Sequence, residues 1–177
     1  MSGVRIETER LLLRPWRDED RDPFWAMGQD TQVMKYLPVI DRAESDELID
    51  RQIEKQARHG YCLWAAELKA ENRFIGFCGM LPPHDPFVEV EIGWRLAHAT
   101  WGKGYAKEGA RACLDWAWRE LGVASVIAVT VPENERSWGL MLRLGMTRNP
   151  DDDFDHPRLP QGDPLRRHVL YRINRPQ

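Results

Sequence analysis

The chain has 177 residues, with 25 lysines and arginines against 28 aspartates and glutamates. This length suits one domain with an ordinary hydrophobic core, so we expect a single domain over residues 1–177. The balanced charge and the lack of a long basic cluster disfavour a nucleic-acid partner, which needs a concentrated positive surface. The longest weakly polar run, residues 121–132, is shorter than the roughly 20 residues of a membrane span, so no membrane partner is expected.

Cysteine and histidine usage narrows the class of protein further. Three cysteines lie far apart without a CxxC pair, which predicts buried free thiols in a reducing cytoplasm: Cys62, Cys78 and Cys113. The five histidines show neither HxH nor HxxxH spacing, so no metal site is expected. The N-terminus does not have the pattern of a signal peptide. We therefore expect a soluble, cytoplasmic protein, either a monomer or a homodimer.

The first half of the chain predicts a strand, two or three helices and a hairpin. Helical spacing of apolar residues and glycine stops define the helices, and strand-like runs around a polar turn define the hairpin. The predicted segments are a strand at 6–16, a helix at 18–29 capped by Asp18, a helical turn at 31–37, a helix at 43–58 ended by Gly60, and hairpin strands at 61–68 and 74–81.

Residues 87–96 show the sharpest alternation in the chain. One face of this predicted strand is apolar, and the other carries two carboxylates, Glu89 and Glu91. The apolar face consists of Val88, Val90, Ile92, Trp94 and Leu96.

The second half alternates helices with strands. A helix is predicted at 105–121 with Gly122 as its stop, and a continuously apolar run at 123–131 predicts a strand covered on both faces. A short helix at 134–144, ended by Gly145, and a last strand at 167–173 follow. This order predicts a mixed α/β sheet with helices on both faces.

The stretch Thr100-Trp101-Gly102-Lys103-Gly104-Tyr105-Ala106-Lys107-Glu108 is a glycine-broken turn between a strand and a helix. Backbone amides at a helix N-terminus bind phosphate oxygens, and glycines let the phosphate approach closely. The turn matches neither the GxxxxGK[ST] nor the GxGxxG pattern. It therefore predicts a site for a phosphorylated ligand of another kind. An ordinary tight turn between a strand and a helix would have the same sequence pattern.

With its flanks, the turn resembles a known family. Glu91-Ile92-Gly93-Trp94, the glycine turn and Lys107-Glu108-Gly109-Ala110 resemble the acetyl-CoA-binding core of the GNAT superfamily of N-acetyltransferases. Gly104 and Ala106 match the small positions of the family's Q/R-x-x-G-x-G/A signature, and Trp101 replaces the glutamine or arginine. That replacement, the opening Thr8–Arg14 segment and the later Pro132–Ser137 segment resemble the Rim-type branch, which acetylates ribosomal-protein N-termini.

The resemblance implies where acetyl-CoA, as a co-substrate, would bind. In the family two central parallel strands of a mostly antiparallel sheet splay apart, which frees a strand edge for the pantetheine arm. The pyrophosphate is expected on the amides of the glycine turn, where Lys103 is either a phosphate contact or a solvated lysine. The positions implied for acetyl-CoA are Trp94, Arg95 and Leu96 on the strand edge, Trp101, Gly102, Lys103, Gly104, Tyr105 and Ala106 in the turn, and Asn134 further along.

The resemblance also implies catalytic positions. Glu91 is the candidate general base, because amine attack on a thioester requires a neutral amine. Glu89 on the same face is the reserve, and both glutamates would equally suit the solvated face of a strand. Ser137 is the candidate for a hydrogen bond to the leaving thiolate; alternatively, it is a polar residue in the first turn of a helix capped by Asn134.

These observations predict an N-acetyltransferase that moves an acetyl group from acetyl-CoA to a primary amine by direct attack. The acceptor would be a protein N-terminus or a small amine. Two other hypotheses fit the same residues: an inactive acyl-CoA-binding sensor, and an unrelated α/β protein that binds a different phosphorylated ligand. The acidic residues 151–155 either attract a cationic acceptor or form an exposed loop.

Overall fold

A computed structural model describes residues 3–177. Within this range, no helix is both long and apolar enough to cross a membrane. The strands are β1 (Ile6–Glu7), β2 (Leu11–Arg14), β3 (Leu63–Leu68), β4 (Arg73–Leu81), β5 (Val90–Leu96), β6 (Ser125–Thr130), β7 (Thr147–Arg148), β8 (Phe154–Asp155) and β9 (Arg167–Asn174). The helices are α1 (Arg21–Met27), α2 (Arg42–His59), α3 (Tyr105–Trp116) and α4 (Glu135–Arg143).

The strands form one mixed sheet in the order β1-β2-β3-β4-β5-β6-β9-β7, with β8 paired to β9. Every neighbouring pair is antiparallel except β5 and β6, which run parallel because the α3 crossover joins them. The predicted fold class, a mostly antiparallel α/β sheet with one central parallel pair, is confirmed.

The predicted single strand at 6–16 is wrong, because the chain folds back on itself there. Thr8 donates its amide to the carbonyl of Leu11 at 2.9 Å, and its hydroxyl accepts the Leu11 amide at 2.9 Å. This turn lets β1 pair antiparallel with β2, so that Ile6 lies opposite Leu13.

Two predictions about the first helices also need correction. The 18–29 segment starts as a 3₁₀ turn, Asp18–Asp20, before α1, and Asp20 rather than Asp18 is the N-cap position of α1. Residues 31–37 form hydrogen-bonded turns without an α-helix. Helix α2 is as predicted: Asp41 and Glu44 form its capping box, and Gly60 ends it with φ +84°.

The predicted helix at 105–121 is helical throughout, but its hydrogen bonding changes. Helix α3 ends at Trp116 and continues as a π-helical turn over Ala117–Leu121, which Gly122 ends with φ +62°. The buried stripe of α3 includes Ala110, Cys113 and Leu114 and packs on β4 and β5. The prediction of buried free cysteines is confirmed for Cys62, Cys78 and Cys113.

The sheet parts between its two central strands. The parallel ladder of β5 and β6 consists of two pairs, Val90 with Val126 and Glu91 with Ile127. Beyond them β5 continues to Leu96 and β6 to Thr130 without further pairing to each other. Strand β5 begins at Val90 rather than at residue 87, and Val88, predicted on its apolar face, is 89% exposed because residues 84–87 form a separate turn.

A cluster of charged side chains lies buried at the end of β2. Arg14 donates to both carboxylate oxygens of Asp20 at 2.7 and 2.9 Å, and to Glu67 of β3 at 2.8 Å. The three side chains are 3–8% exposed. Each charge has its partner, as burial requires.

Candidate active site

The glycine turn has the backbone conformation that its sequence predicts. Gly102 and Gly104 have φ of +74° and +83°, in the left-handed region that side chains disfavour. Gly104 is the N-cap position of α3 and provides no capping side chain. A Cβ at Gly102 would meet nothing within 4 Å, so the surface of the turn is open.

The amides of the turn are available to a ligand. Within residues 3–177, the amides of positions 102–107 have no protein acceptor, and hydrogen bonding inside α3 resumes with the Glu108 amide on the Gly104 carbonyl at 3.0 Å. Uncovered amides at the positive end of a helix suit phosphate oxygens. The residues present therefore fit the pyrophosphate of coenzyme A.

The N-terminal segment holds this turn in place. Arg10 donates to the Lys103 carbonyl at 2.9 Å and pairs with Glu108 at 2.6 Å. Thr8 donates to the same carboxylate at 2.6 Å. These bonds fix both the glycine turn and the first turn of α3 to the N-terminal segment.

Trp101 anchors the other end of the turn. Its indole N–H donates to the Leu96 carbonyl at 2.8 Å, and its amide donates to the His98 carbonyl at 3.0 Å. The guanidinium of Arg136 lies 5.1 Å from the Trp101 ring centroid, which brings the start of α4 against the turn.

The unpaired part of β5 leads away from the turn. Trp94, Arg95 and Leu96 lie beyond the last β5–β6 pair, so their edge on the β6 side is free of strand pairing. Their other edge pairs with β4. The free edge can accept an extended ligand arm as an added strand.

Glu91 stands where the two strands part. Its carboxylate is 2.9 Å from Nε2 of His84, and its side chain is 13% exposed. The hydrogen bond that His84 makes to Glu91 raises the pKa of His84 against the opposing effect of burial. His84 could not be predicted from the sequence, since a loop histidine seven residues before a glutamate follows no motif.

Glu89 has a different environment from Glu91. Arg172 of β9 donates to both of its oxygens at 2.8–3.1 Å, and the Ser125 hydroxyl donates to it as well. The bonds from Arg172 and then Ser125 lower the pKa of Glu89 despite partial burial. Glu89 thus ties the start of β5 to β9 by an ion pair and to β6 by a hydrogen bond.

The start of α4 lies close to the end of β6. Asn134 caps α4 by accepting the Ser137 amide at 3.3 Å, and it donates to the Thr130 hydroxyl at 3.0 Å. Ser137 is half-buried in the first turn of α4, and within residues 3–177 its hydroxyl has no hydrogen-bond partner. The hydroxyl is therefore available to a ligand.

Three of the four acidic residues at 151–155 are paired within the protein. Asp152 binds Arg172 at 2.6 Å, Asp153 binds Arg148, and Asp155 lies 3.3 Å from Arg166. These pairs tie the loop to β7 and β9. The described residues contain no cluster of histidine, cysteine or carboxylate side chains arranged to hold a metal ion.

Comparison with known proteins agrees with this geometry. Residues 10–147 match the family described as the acetyltransferase (GNAT) domain. The chain is 32% identical over 157 residues to the FsC-acetyl coenzyme A-N(2)-transacetylase of Aspergillus fumigatus, an alignment that covers 80% of this chain and 64% of that protein. The chain belongs to the GNAT family and is an acyltransferase.

Solved structures show the same fold. A GNAT-family acetyltransferase from Bacillus anthracis is 26% identical, with a TM-score of 0.80 and coverage of 97% of this chain and 98% of that one. RimL, the ribosomal L7/L12 α-N-protein acetyltransferase in complex with coenzyme A, has a TM-score of 0.79 at 14% identity, covering 97% and 98% of the two chains. The predicted membership of the GNAT superfamily is confirmed, and the fold is shared with a Rim-type enzyme.

Proposed function

We propose that this protein transfers the acetyl group of acetyl-CoA to a primary amine, which attacks the thioester directly. The observation that carries the proposal is Glu91, a carboxylate bonded to His84 at the point where β5 and β6 part. Acetyl-CoA would be held with its diphosphate on the 102–106 amides and its pantetheine arm along Trp94–Leu96. A base at this point would then lie beside the acetyl group.

Glu91 is the better of the two candidate bases. Glu89 already accepts three hydrogen bonds from Arg172, so removing its charge would break an ion pair. Glu91 faces a histidine that is 39% exposed and can exchange a proton with solvent. The proton would pass from the ammonium of the acceptor to Glu91, and the neutral amine would then attack the thioester carbonyl.

Ser137 is proposed to donate a hydrogen bond to the departing thiolate. Its hydroxyl has no partner within residues 3–177 and lies at the start of α4, whose N-terminus favours negative charge. A thiol pKa near about 8.5 means that the leaving group needs only modest assistance. We therefore expect Ser137→Ala to lower kcat by about 3- to 10-fold without changing the Kd of acetyl-CoA.

The first experiment measures ligand choice and turnover together. Calorimetry with CoA, ATP and NAD should show tight binding of CoA alone. Thiol release from acetyl-CoA across a panel of small amines and N-terminal peptides should identify an acceptor, with mass spectrometry of the product showing an added acetyl group. Binding of CoA without thiol release for any amine would instead favour a sensor, and preference for another nucleotide would contradict the proposal.

The Glu91→Gln variant tests the base. We expect kcat to fall by about 100-fold or more, most strongly at low pH where the amine is fully protonated, while the Kd of acetyl-CoA stays within about 2-fold. Asp115→Asn, at an exposed residue of α3 to which no role in the site is assigned, is the control. An unchanged pH–rate profile in Glu91→Gln would remove this residue from the mechanism.

A further inference from the structure

A cavity of about 290 Å³ lies between the 34–51 segment and β5. Its wall combines apolar residues such as Met34, Ile40 and Leu48 with the charged side chains of Glu47, Arg51 and Arg95. This volume is at the lower end of ordinary small-molecule sites, roughly 300–1,000 Å³. It suits a small acceptor better than a folded protein surface.

Arg95 is the unusual member of this wall. Its guanidinium packs against two neighbouring aromatic rings, 5.8 Å from the Phe24 centroid and 5.3 Å from the Phe77 centroid. Within residues 3–177, no carboxylate pairs with it and no acceptor takes its hydrogen bonds; burial alone lowers its pKa, to about 10. It therefore stays charged at neutral pH without a counter-ion.

The contrast with Arg14 shows what Arg95 lacks. Arg14 is more fully buried than the partly exposed Arg95, and it is neutralised by Asp20 and Glu67. A cation that loses part of its hydration is stabilised by such a partner, and aromatic faces compensate for only part of the cost. The described part of the protein supplies no anionic partner for Arg95, and the side chain lines a cavity. An anionic group of a bound ligand could therefore take the place of that partner.

Arg95 is also correctly placed for the acceptor. Residues 91, 93 and 95 point to the same face of β5, and the Leu63 side chain packs over Gly93, 3.2 Å from where a Cβ would stand. The Cα atoms of Glu91 and Arg95 are separated by about 13 Å along the strand. An acceptor that extends past Leu63 can present an amine near Glu91 and an anionic group to the guanidinium.

We propose that the acceptor is a small amine that carries a carboxylate, and that Arg95 recognises this carboxylate. The inference rests on the proposed function and names its substrate class. A guanidinium binds a carboxylate through two parallel hydrogen bonds. Phosphate offers similar oxygens, but Glu44 and Glu47 line the same cavity and would repel a dianion more strongly than a monoanion.

The kinetic test uses matched acceptors. Glycine, β-alanine, 4-aminobutyrate, leucine and phenylalanine are each compared with the carboxamide, the decarboxylated amine and the aminophosphonate. For at least one set, kcat/KM for thiol release should favour the carboxylate over the carboxamide by about 10- to 100-fold. Equal rates across the sets, or preference for the phosphonate, would overturn the inference and leave the acetyltransferase function intact.

Variants assign the preference to Arg95. Arg95→Gln should bring the ratio of kcat/KM for the carboxylate to that for the carboxamide close to one. Arg95→Lys keeps the charge but loses the two parallel N–H donors of the guanidinium, so it should leave part of the preference. Arg58→Gln, on an exposed arginine outside the cavity, should keep the wild-type ratio. A full preference retained in a folded Arg95→Gln protein, as judged by its thermal midpoint and CoA binding, would contradict the inference.

A binding measurement separates the two levels of the proposal. Calorimetry of the same carboxylates with CoA-loaded protein should show binding that Arg95→Gln weakens by about 10-fold or more. If no amine supports thiol release but this binding is found, the acetyltransferase proposal fails and the Arg95 site stands. If the carboxylates do not bind the wild-type protein, the Arg95 site is refuted.

Discussion

Single residues of the same type have different roles in this site because of their neighbours. Glu91 lies in β5 and Glu89 immediately before it, and their sequence context does not distinguish them. In the folded protein Glu89 is neutralised by Arg172, 83 positions away in the chain, whereas Glu91 meets His84. The sequence predicts which residues can be bases; long-range contacts decide which one is available.

The pair of His84 and Glu91 makes stability depend on pH. Because the folded-state pKa of His84 is raised, the stabilisation is complete below the unfolded pKa of about 6.5 and is lost as pH rises through the folded value. The His84→Gln variant should therefore lose more stability at pH 5.5 than at pH 9, by less than about 1 kcal/mol because the histidine is partly exposed. Urea unfolding at both pH values measures the difference, and a larger loss at pH 9 would contradict it.

At the scale of elements, the glycine turn depends on two parts of the chain. Its glycines and its position between strand and helix are visible in the sequence. The support from Arg10 and Thr8 is not, because an antiparallel hairpin at the N-terminus brings these residues to α3. Predicting one strand over 6–16 missed this hairpin, since alternation of side chains does not reveal a reversal at Thr8.

Two glycines form a matched pair for testing the turn. Gly102 and Gly122 both have positive φ, and a Cβ at either would meet nothing within 4 Å. Gly102→Ala and Gly122→Ala should each cost about 1 kcal/mol of stability, because alanine is strained in this region. Only Gly102→Ala should weaken acetyl-CoA binding, by about 10-fold or more, since its methyl group projects from the turn. Calorimetry measures the Kd of acetyl-CoA for each variant. Equal Kd values in the two variants would show that the phosphates bind elsewhere.

The support from the N-terminal segment can be tested separately. Arg10→Gln breaks the bonds to Glu108 and to the Lys103 carbonyl. We expect the KM for acetyl-CoA to rise about 2- to 5-fold, because a half-exposed ion pair contributes up to roughly 1 kcal/mol, with kcat unchanged at saturation. Arg73→Gln, which removes an exposed pair with Glu71 at the β3–β4 turn, is the control. A lower kcat at unchanged KM would show that Arg10 acts on a later step.

At the scale of the whole molecule, periodicity and glycine stops predict the order of the central elements well. Segments 43–58, 105–121 and 167–173 correspond to α2, to α3 with its π turn, and to β9. The parting of β5 and β6 came from the family resemblance, because no local pattern records where a ladder stops. Arg95 was predicted only as a position on the strand edge for acetyl-CoA. The unpaired state of its side chain was not predicted, because a charged residue on an alternating strand is usually solvated.

The buried Arg14 cluster links three parts of the N-terminal half, so it tests global stability. Arg14→Met would leave Asp20 and Glu67 buried without their cation. We expect a loss of about 3–5 kcal/mol in the free energy of unfolding. Arg73→Met, at an exposed pair, should cost less than about 1 kcal/mol. Denaturant titration compares them, and similar losses would show that the cluster is not tightly coupled to folding.

The short ladder between β5 and β6, here called the seam, consists of the pairs Val90–Val126 and Glu91–Ile127 and has a consequence for how the chain folds. Strands β1–β5 come from residues 6–96, and strands β6–β9 come from residues 125–174, so each half-sheet is assembled from a contiguous stretch. Contacts close in sequence form faster than distant ones. We expect the two halves to collapse separately and to dock late, with the amides at the seam the last of the central sheet to gain protection from hydrogen exchange during refolding.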